Sequence, residues 1–234
     1  MAKDPFSTAR SESPRTGWGF KLLVLILVTL LFAEWMWPLI DLTETVTVYP
    51  FLLFFVAAFL AFMVNLPGYV TFFGLGGLLL YLTQRLHFEG PFFSLDWVLP
   101  FFLNLLEALP VLVSWNWQQL PVEVRTFFFL ILVWLIALSL NQNILLRGRV
   151  FFFVVMTVGY LAVLDTFTPY DARLAVLRTV GAGFLLLALV RYLELVKKEG
   201  ANGGAGGRKP ALRWGLASLA FVLVTVSVAY AAPK

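Results

Sequence analysis

The run VLDTFTPYDARLAVLR, Val163 to Arg178, places two carboxylates, Asp165 and Asp171, and two guanidiniums, Arg173 and Arg178, between long apolar stretches. Paired carboxylates can exchange a proton in general acid–base chemistry. Alternatively, charges inside an apolar segment can line an ion path or pair with one another. A third acid, Glu34, stands in the apolar run FKLLVLILVTLLFAEWMWPLI. An ionisable side chain at the centre of a membrane span costs about 2.5 to 3.5 kcal/mol on insertion scales, so Glu34 and Arg178 each require a partner. Glu34 lies six residues before the expected end of its span and Arg178 nine after the expected start of its own. At about 1.5 Å rise per residue these depths are about 9 and 13 Å from the same side, which allows a Glu34 to Arg178 ion pair; the alternative is that each side chain snorkels or meets water separately.

The short polar stretch itself has a structural reading. Thr168 followed by Pro169, with Asp171 three residues on, is the pattern of a capping box: a hydroxyl at the N-cap, proline at the first helical position and an acid near the positive end of the helix dipole. Asp165 would close the preceding helix and could pair with Arg173 across the turn. On this reading Asp165, Thr168, Asp171 and Arg173 hold a turn together, and no chemistry is required of them.

The elements that must position these residues are membrane spans. The chain has 234 residues, of which 61% are hydrophobic and 13% charged, with a mean hydropathy of +0.89. Such a composition lies far outside that of a soluble globular domain. With no cysteine and one histidine, His87, neither a thiolate site nor a histidine metal cluster can form. No cofactor and no metal is expected, and nothing suggests a nucleic-acid partner. A span needs about 20 apolar residues, and seven candidates follow: Phe20 to Ile40, Tyr49 to Leu66, Tyr69 to Leu86, Val122 to Leu140, Val150 to Phe167, Pro169 to Leu195 and Ala211 to Ala231. The predicted fold is therefore an all-α polytopic transmembrane bundle.

Residues 1–19 read as a basic cytoplasmic tail, 20–196 as a six-span domain, 197–210 as a glycine-rich cytoplasmic linker, 211–231 as a seventh span and 232–234 as an outer end. The first span ends in AEWMWPLIDLTE without a small-x-small cleavage site, so it reads as a retained anchor. With the amino terminus inside, twelve cations fall on the inner side: Lys3, Arg10, Arg15, Lys21, Arg147, Arg149, Arg191, Lys197, Lys198, Arg208, Lys209 and Arg213. Five fall on the outer side, Arg85, Arg125, Arg173, Arg178 and Lys234, and this asymmetry predicts an outward carboxyl terminus. Segment 91–121 is apolar but cut by Pro91, Pro100, Pro110 and Pro121. It is expected to form short interfacial or re-entrant helices on the outer side, with Trp97, Trp115 and Trp117 at headgroup level. Gly74, Gly76 and Gly77, and Gly181 with Gly183, are expected to allow close helix approach. Asn65 and Asn104 are expected to bond to neighbouring helices or interfacial water.

Three segments carry a resemblance. The run LAVLDTFTPYDA (Leu161 to Ala172), the span ending EWMWPLIDLTET and the aromatic VRTFFFLILVWL, in this order, resemble the amino-terminal membrane domain of bacterial transglutaminase-like membrane proteins of the TgpA type. The resemblance covers essentially the whole chain. It implies a bacterial plasma-membrane location and, in the family, an extracytoplasmic transglutaminase-like domain with a Cys-His-Asp set beyond this region. With no cysteine present, no catalytic residue carries over. The expected function is then membrane anchoring and interaction, not catalysis, by a chain that stops where the outer domain would begin. The bilayer, other envelope proteins or that outer domain are the expected partners. The alternative is a small transporter or channel, for which Glu34 and Arg178 would be the functional charges.

Overall fold

The computed structural model describes residues 18–42, 47–94, 96–114, 119–146, 148–201 and residue 220. Among them are seven α-helices and no strand: α1 Trp18–Leu42, α2 Tyr49–Met63, α3 Gly68–His87, α4 Val98–Val113, α5 Val122–Leu140, α6 Phe151–Phe167 and α7 Arg173–Ala201. Three stretches are long and apolar enough to cross a membrane: Trp18–Ile40, Val122–Ile144 and Arg173–Tyr192. Helices α2, α4 and α6 are apolar but shorter, at 15, 16 and 17 residues. The expected seventh span, 211–231, and the linker 197–210 lie wholly or mostly outside the described residues.

Proline and glycine chemistry sets several of the boundaries. α2 starts with Pro50 in its first turn, where a missing N–H costs nothing. It stops at Met63, before Val64, and not at the expected Leu66. There Asn65 takes a left-handed backbone (φ 56°), and Pro67 then precedes α3. Pro121 likewise precedes α5, whose bounds match the expected Val122 to Leu140. The expected fragmentation of segment 91–121 is corrected in part. A 3-10 turn, Phe92–Ser94, is followed by one continuous α4 of 16 residues. Pro100 falls in its first turn, where it breaks no helical bond, and Pro110 falls in its last turn. A larger correction concerns α7, which begins at Arg173 and not at Pro169.

Some consecutive helices pack together, α1 on α2, α2 on α3 and α6 on α7, while α5 packs chiefly on α2 and α3. Near the start of α1, Lys21 Nζ donates to the Met63 carbonyl at the end of α2, at 3.2 Å. Phe51 of α2 meets Phe129 of α5 edge-on at 4.9 Å between ring centroids. α1 packs most extensively on α7, α2 on α5 and α6 on α7. One core joins five of the helices and part of α3. Val24, Val28, Leu31 and Phe32 of α1 meet Phe54, Phe55, Ala58 and Phe59 of α2, Leu130, Val133 and Ala137 of α5, and Leu186 of α7. Phe32 stacks on Phe55 at 4.0 Å near its centre. α4 stands apart, packed on α5 through a second cluster of Ala108, Leu120 and Val124. α5 ends in a π-helical turn, Asn141–Leu146, which turns the chain toward α6.

The glycines divide. A Cβ on Gly183 of α7 would meet Val154 Cγ1 of α6 at 2.6 Å and Cγ2 at 2.8 Å, so this glycine does permit the α6–α7 approach. Around Gly74, Gly76 and Gly77 of α3 a Cβ would meet nothing within 4 Å, and the expectation of close packing there is not met among the described residues. These positions should respond oppositely to alanine. Because the β-branched Val154 has little rotamer freedom, Gly183→Ala is expected to destabilise the bundle by about 1 to 3 kcal/mol. Gly77→Ala should be neutral or stabilising by up to about 1 kcal/mol through helix propensity. Unfolding titrations in mixed micelles measure both, and Val154→Ala added to Gly183→Ala should recover much of the loss.

Candidate functional site

Glu34 sits 16 residues beyond the start of α1, in its last third and facing the bundle, with its side chain 5% exposed. Four residues on, Pro38 has no N–H to offer the Glu34 carbonyl, so that helical bond is missing beside the acid. Arg178 reaches it from the second turn of α7. Its Nε donates to Glu34 Oε1 at 2.6 Å and its Nη2 to Oε2 at 3.0 Å, a bidentate pair between the first and last described helices. The ion pair is therefore formed. Because α7 starts at Arg173, Arg178 lies only five residues in, or about 7 Å by helical rise, and its long side chain spans the remaining difference in depth to Glu34. The Arg178 side chain is 54% exposed, so the pair is asymmetric: a buried carboxylate held by a guanidinium that reaches the bundle surface.

The next residue of α1 continues the contact onto α6. Trp35 Nε1 donates to Thr157 Oγ1 at 2.9 Å, and its ring stacks against Phe153 at 6.1 Å and Tyr160 at 5.2 Å. Tyr160 Oη donates to the Trp35 carbonyl at 3.3 Å. Thr157 is fully buried and also donates to the Phe153 carbonyl. Consecutive residues of α1 thus bind different helices, Glu34 to α7 and Trp35 to α6. Sequence spacing could not reveal the Trp35 contacts, since tryptophan near a span end is also the ordinary signature of a membrane interface.

The turn between α6 and α7 uses the predicted residues in other roles. Thr168 closes α6 and does not open α7. Its N–H and its Oγ1 both donate to the Leu164 carbonyl, and Oγ1 accepts from the Tyr170 N–H at 3.3 Å. The capping of α7 falls to the two aspartates. Asp165 Oδ1 accepts the Ala172 N–H at 2.9 Å, and Asp171 Oδ1 accepts the Arg173 N–H at 3.1 Å. Capping by Asp171 survives, then, but shifted to the helix that starts at Arg173, with Asp165 as the second cap from across the turn. The Val176 N–H bonds to the Ala172 carbonyl, the first helical bond of α7. No Asp165 to Arg173 ion pair forms among the described residues, because the carboxylate is directed to backbone. Ala172 and Ala175 pack beneath the turn on Leu161.

A further polar junction joins α3, α4 and α5. His87 Nε2 lies 2.8 Å from Thr126 Oγ1, and Asn104 Nδ2 donates to Glu123 Oε1 at 2.6 Å. The expectation that Asn104 bonds to a neighbouring helix holds. Gln84, almost fully buried, donates to the Gly90 carbonyl at 2.9 Å and closes the loop after α3. His87 stands one residue past its expected span. Burial pushes its imidazole below the ordinary histidine range, and the Glu123 carboxylate partly counters this.

What this geometry can do chemically is narrow. Glu34 is neutralised by a bidentate arginine, and Asp165 and Asp171 are committed to backbone N–H groups, so none is placed as a free general base. Among the described residues no group of three histidine, cysteine or acidic side chains could hold a metal ion. The arrangement ties helices together. Removing Arg178 should therefore be worse than removing Glu34. Arg178→Gln leaves a buried carboxylate unpaired, with an expected loss of about 3 kcal/mol. Glu34→Gln leaves a guanidinium that can extend to the surface, and the loss should be at most half as large. A double-mutant cycle in micelle unfolding should return a coupling of about 1 kcal/mol or more, and additivity would contradict the pair.

Comparison with known proteins finds one substantial similarity. Over 213 residues the chain is 34% identical to the uncharacterized protein YebA of Bacillus subtilis (strain 168), which takes in 91% of this chain and 28% of that relative. The chain thus spans under a third of the length of the curated relative it matches. No family profile matches the chain, and no solved structure matches it.

Proposed function

We propose that these 234 residues act as the membrane-anchoring and interaction module of a transglutaminase-like cell-envelope protein in the bacterial plasma membrane. The observation that carries this reading is one of lengths. Nearly the whole chain aligns within 28% of YebA, so the equivalent region of that relative is one part of a much larger polypeptide. The likeness of LAVLDTFTPYDA to the TgpA-type membrane domain supplies the kind of protein. The packing is consistent with it. Glu34 of α1 is held by Arg178 of α7, and Trp35 of α1 by Thr157 and Tyr160 of α6, in fixed pairs, as suits a rigid anchor.

In this reading α1, α2, α3, α5, α6 and α7 cross the bilayer in alternating directions, and 211–231 crosses a seventh time. The amino terminus lies inside, and the Glu34–Arg178 pair, the 165–173 turn and α4 lie toward the outer side. The antiparallel pairing of α1 with α2 and with α7, and the bias of cations toward one side, support this topology.

Two experiments test the proposal. Reporter fusions within Gly203 to Gly207 should report inside, and fusions after Lys234 outside. An inside signal at the latter would contradict the orientation. In the gene, the DNA that follows Lys234 should encode a domain with Cys, His and Asp in that order. A stop codon with no such domain, combined with selective solute flux in liposomes that Glu34→Gln abolishes, would replace this reading with a transporter.

A further inference from the structure

The chain's one histidine stands where three helices meet. His87 is the last residue of α3, and Thr126, which its Nε2 contacts at 2.8 Å, lies on α5 one turn beyond Glu123. Residues three apart share a helix face, so Thr126 and Glu123 present a hydroxyl and a carboxylate side by side toward α3 and α4. Glu123 is already used: it accepts from Asn104 Nδ2 of α4 at 2.6 Å. This is the side-chain hydrogen bond between α4 and α5 among the described residues, and little else holds the middle and end of α4. Its first turn is fixed by aromatic contacts of Trp97 and Phe101 with Phe88, and of Phe101 with Phe127. Beyond Asn104 the packing reduces to the small cluster around Ala108, separate from the main core, while Leu103, Leu106, Leu109 and Val113 are exposed.

We propose that His87, Glu123 and Asn104 form an acid-sensitive latch that releases the carboxyl-terminal part of α4 from α5 when the imidazole is protonated. In the neutral state one ring nitrogen meets the Thr126 hydroxyl, and Glu123 is free to hold Asn104. Protonation makes both ring nitrogens donors and adds a positive charge beside Glu123. A charge-assisted bond from imidazolium to carboxylate is roughly twice as strong as the neutral amide bond it competes with, so Glu123 turns toward His87 and Asn104 loses its acceptor. Glu123 of α5 is the charged group acting on His87. Arg125 on α5, Glu107 on α4, and Arg85 and Glu89 beside it in the chain are exposed to solvent.

The direction in pH follows from the burial. The folded protein binds this proton more weakly than the unfolded chain, so the neutral latch is fully in place above the ordinary histidine pKa of about 6.5 and is lost as pH falls through the lowered pKa of the folded state. The absence of native cysteine makes the test direct. Spin labels on Leu109→Cys of α4 and Leu132→Cys of α5 report the separation of the two helices in the full chain in nanodiscs. NMR of the single imidazole reports its protonation in the same samples. As pH is lowered until His87 is fully protonated, the distance should lengthen in step with the titration. In His87→Gln and in Glu123→Gln, which keep a neutral hydrogen-bonding group, it should not change with pH. A constant distance through the titration, an equal lengthening in His87→Gln, or loss of the whole fold before His87 protonates would overturn the latch.

Discussion

The bundle depends on the disposal of one buried carboxylate. In an apolar helix an unpaired Glu34 would cost about 3 kcal/mol. The structure instead brings Arg178 to it across the bundle, in bidentate geometry, from a helix 144 residues distant in sequence. Such a pair contributes less to net stability than to register: an alternative rotation or translation of α7 against α1 would separate the two charges in a medium where separation is expensive. The Gly183 contact with Val154 then sets how near α6 lies to α7, and Trp35 with Thr157 and Tyr160 ties α6 back to α1. Three helices are fixed by one ion pair, one glycine and one indole.

The turn between α6 and α7 exists to place Arg178. Had α7 begun at Pro169, Arg178 would lie a full turn deeper than it does. By taking Asp165 and Asp171 as acceptors for the Ala172 and Arg173 N–H groups, the chain delays the helix by about one turn and sets the guanidinium level with Glu34. The polar run that first suggests an acid–base centre is better understood as a spacer whose charges satisfy backbone donors.

Much of this was legible from residue types. The possibility of the ion pair follows from two ionisable residues placed at similar depth in apolar runs. The bounds of α5 follow from Pro121, and the α6–α7 approach from a glycine within a span. What was not legible has a physical cause in each case. A threonine followed by proline fits an N-cap equally well as the end of the preceding helix, and only the Leu164 carbonyl decides between them. Gly74, Gly76 and Gly77 have the spacing of a packing face, yet a face is defined by its partner, which a single sequence does not name. The Trp35 and His87 bonds join residues 122 and 39 apart in sequence, and no local pattern encodes such a pairing.

The central claim is that α1 and α7 are locked face to face at Glu34 and Arg178. Because these 234 residues contain no cysteine, the 234-residue chain carrying Glu34→Cys and Arg178→Cys can be treated in membranes with a short bis-thiol reagent, and the joined peptides identified by mass after proteolysis. Efficient linkage of this pair is expected, with little linkage of Glu34→Cys with Phe184→Cys, which lies on the exposed face of α7. Equal linkage of both pairs, or none at 34 and 178, would contradict it.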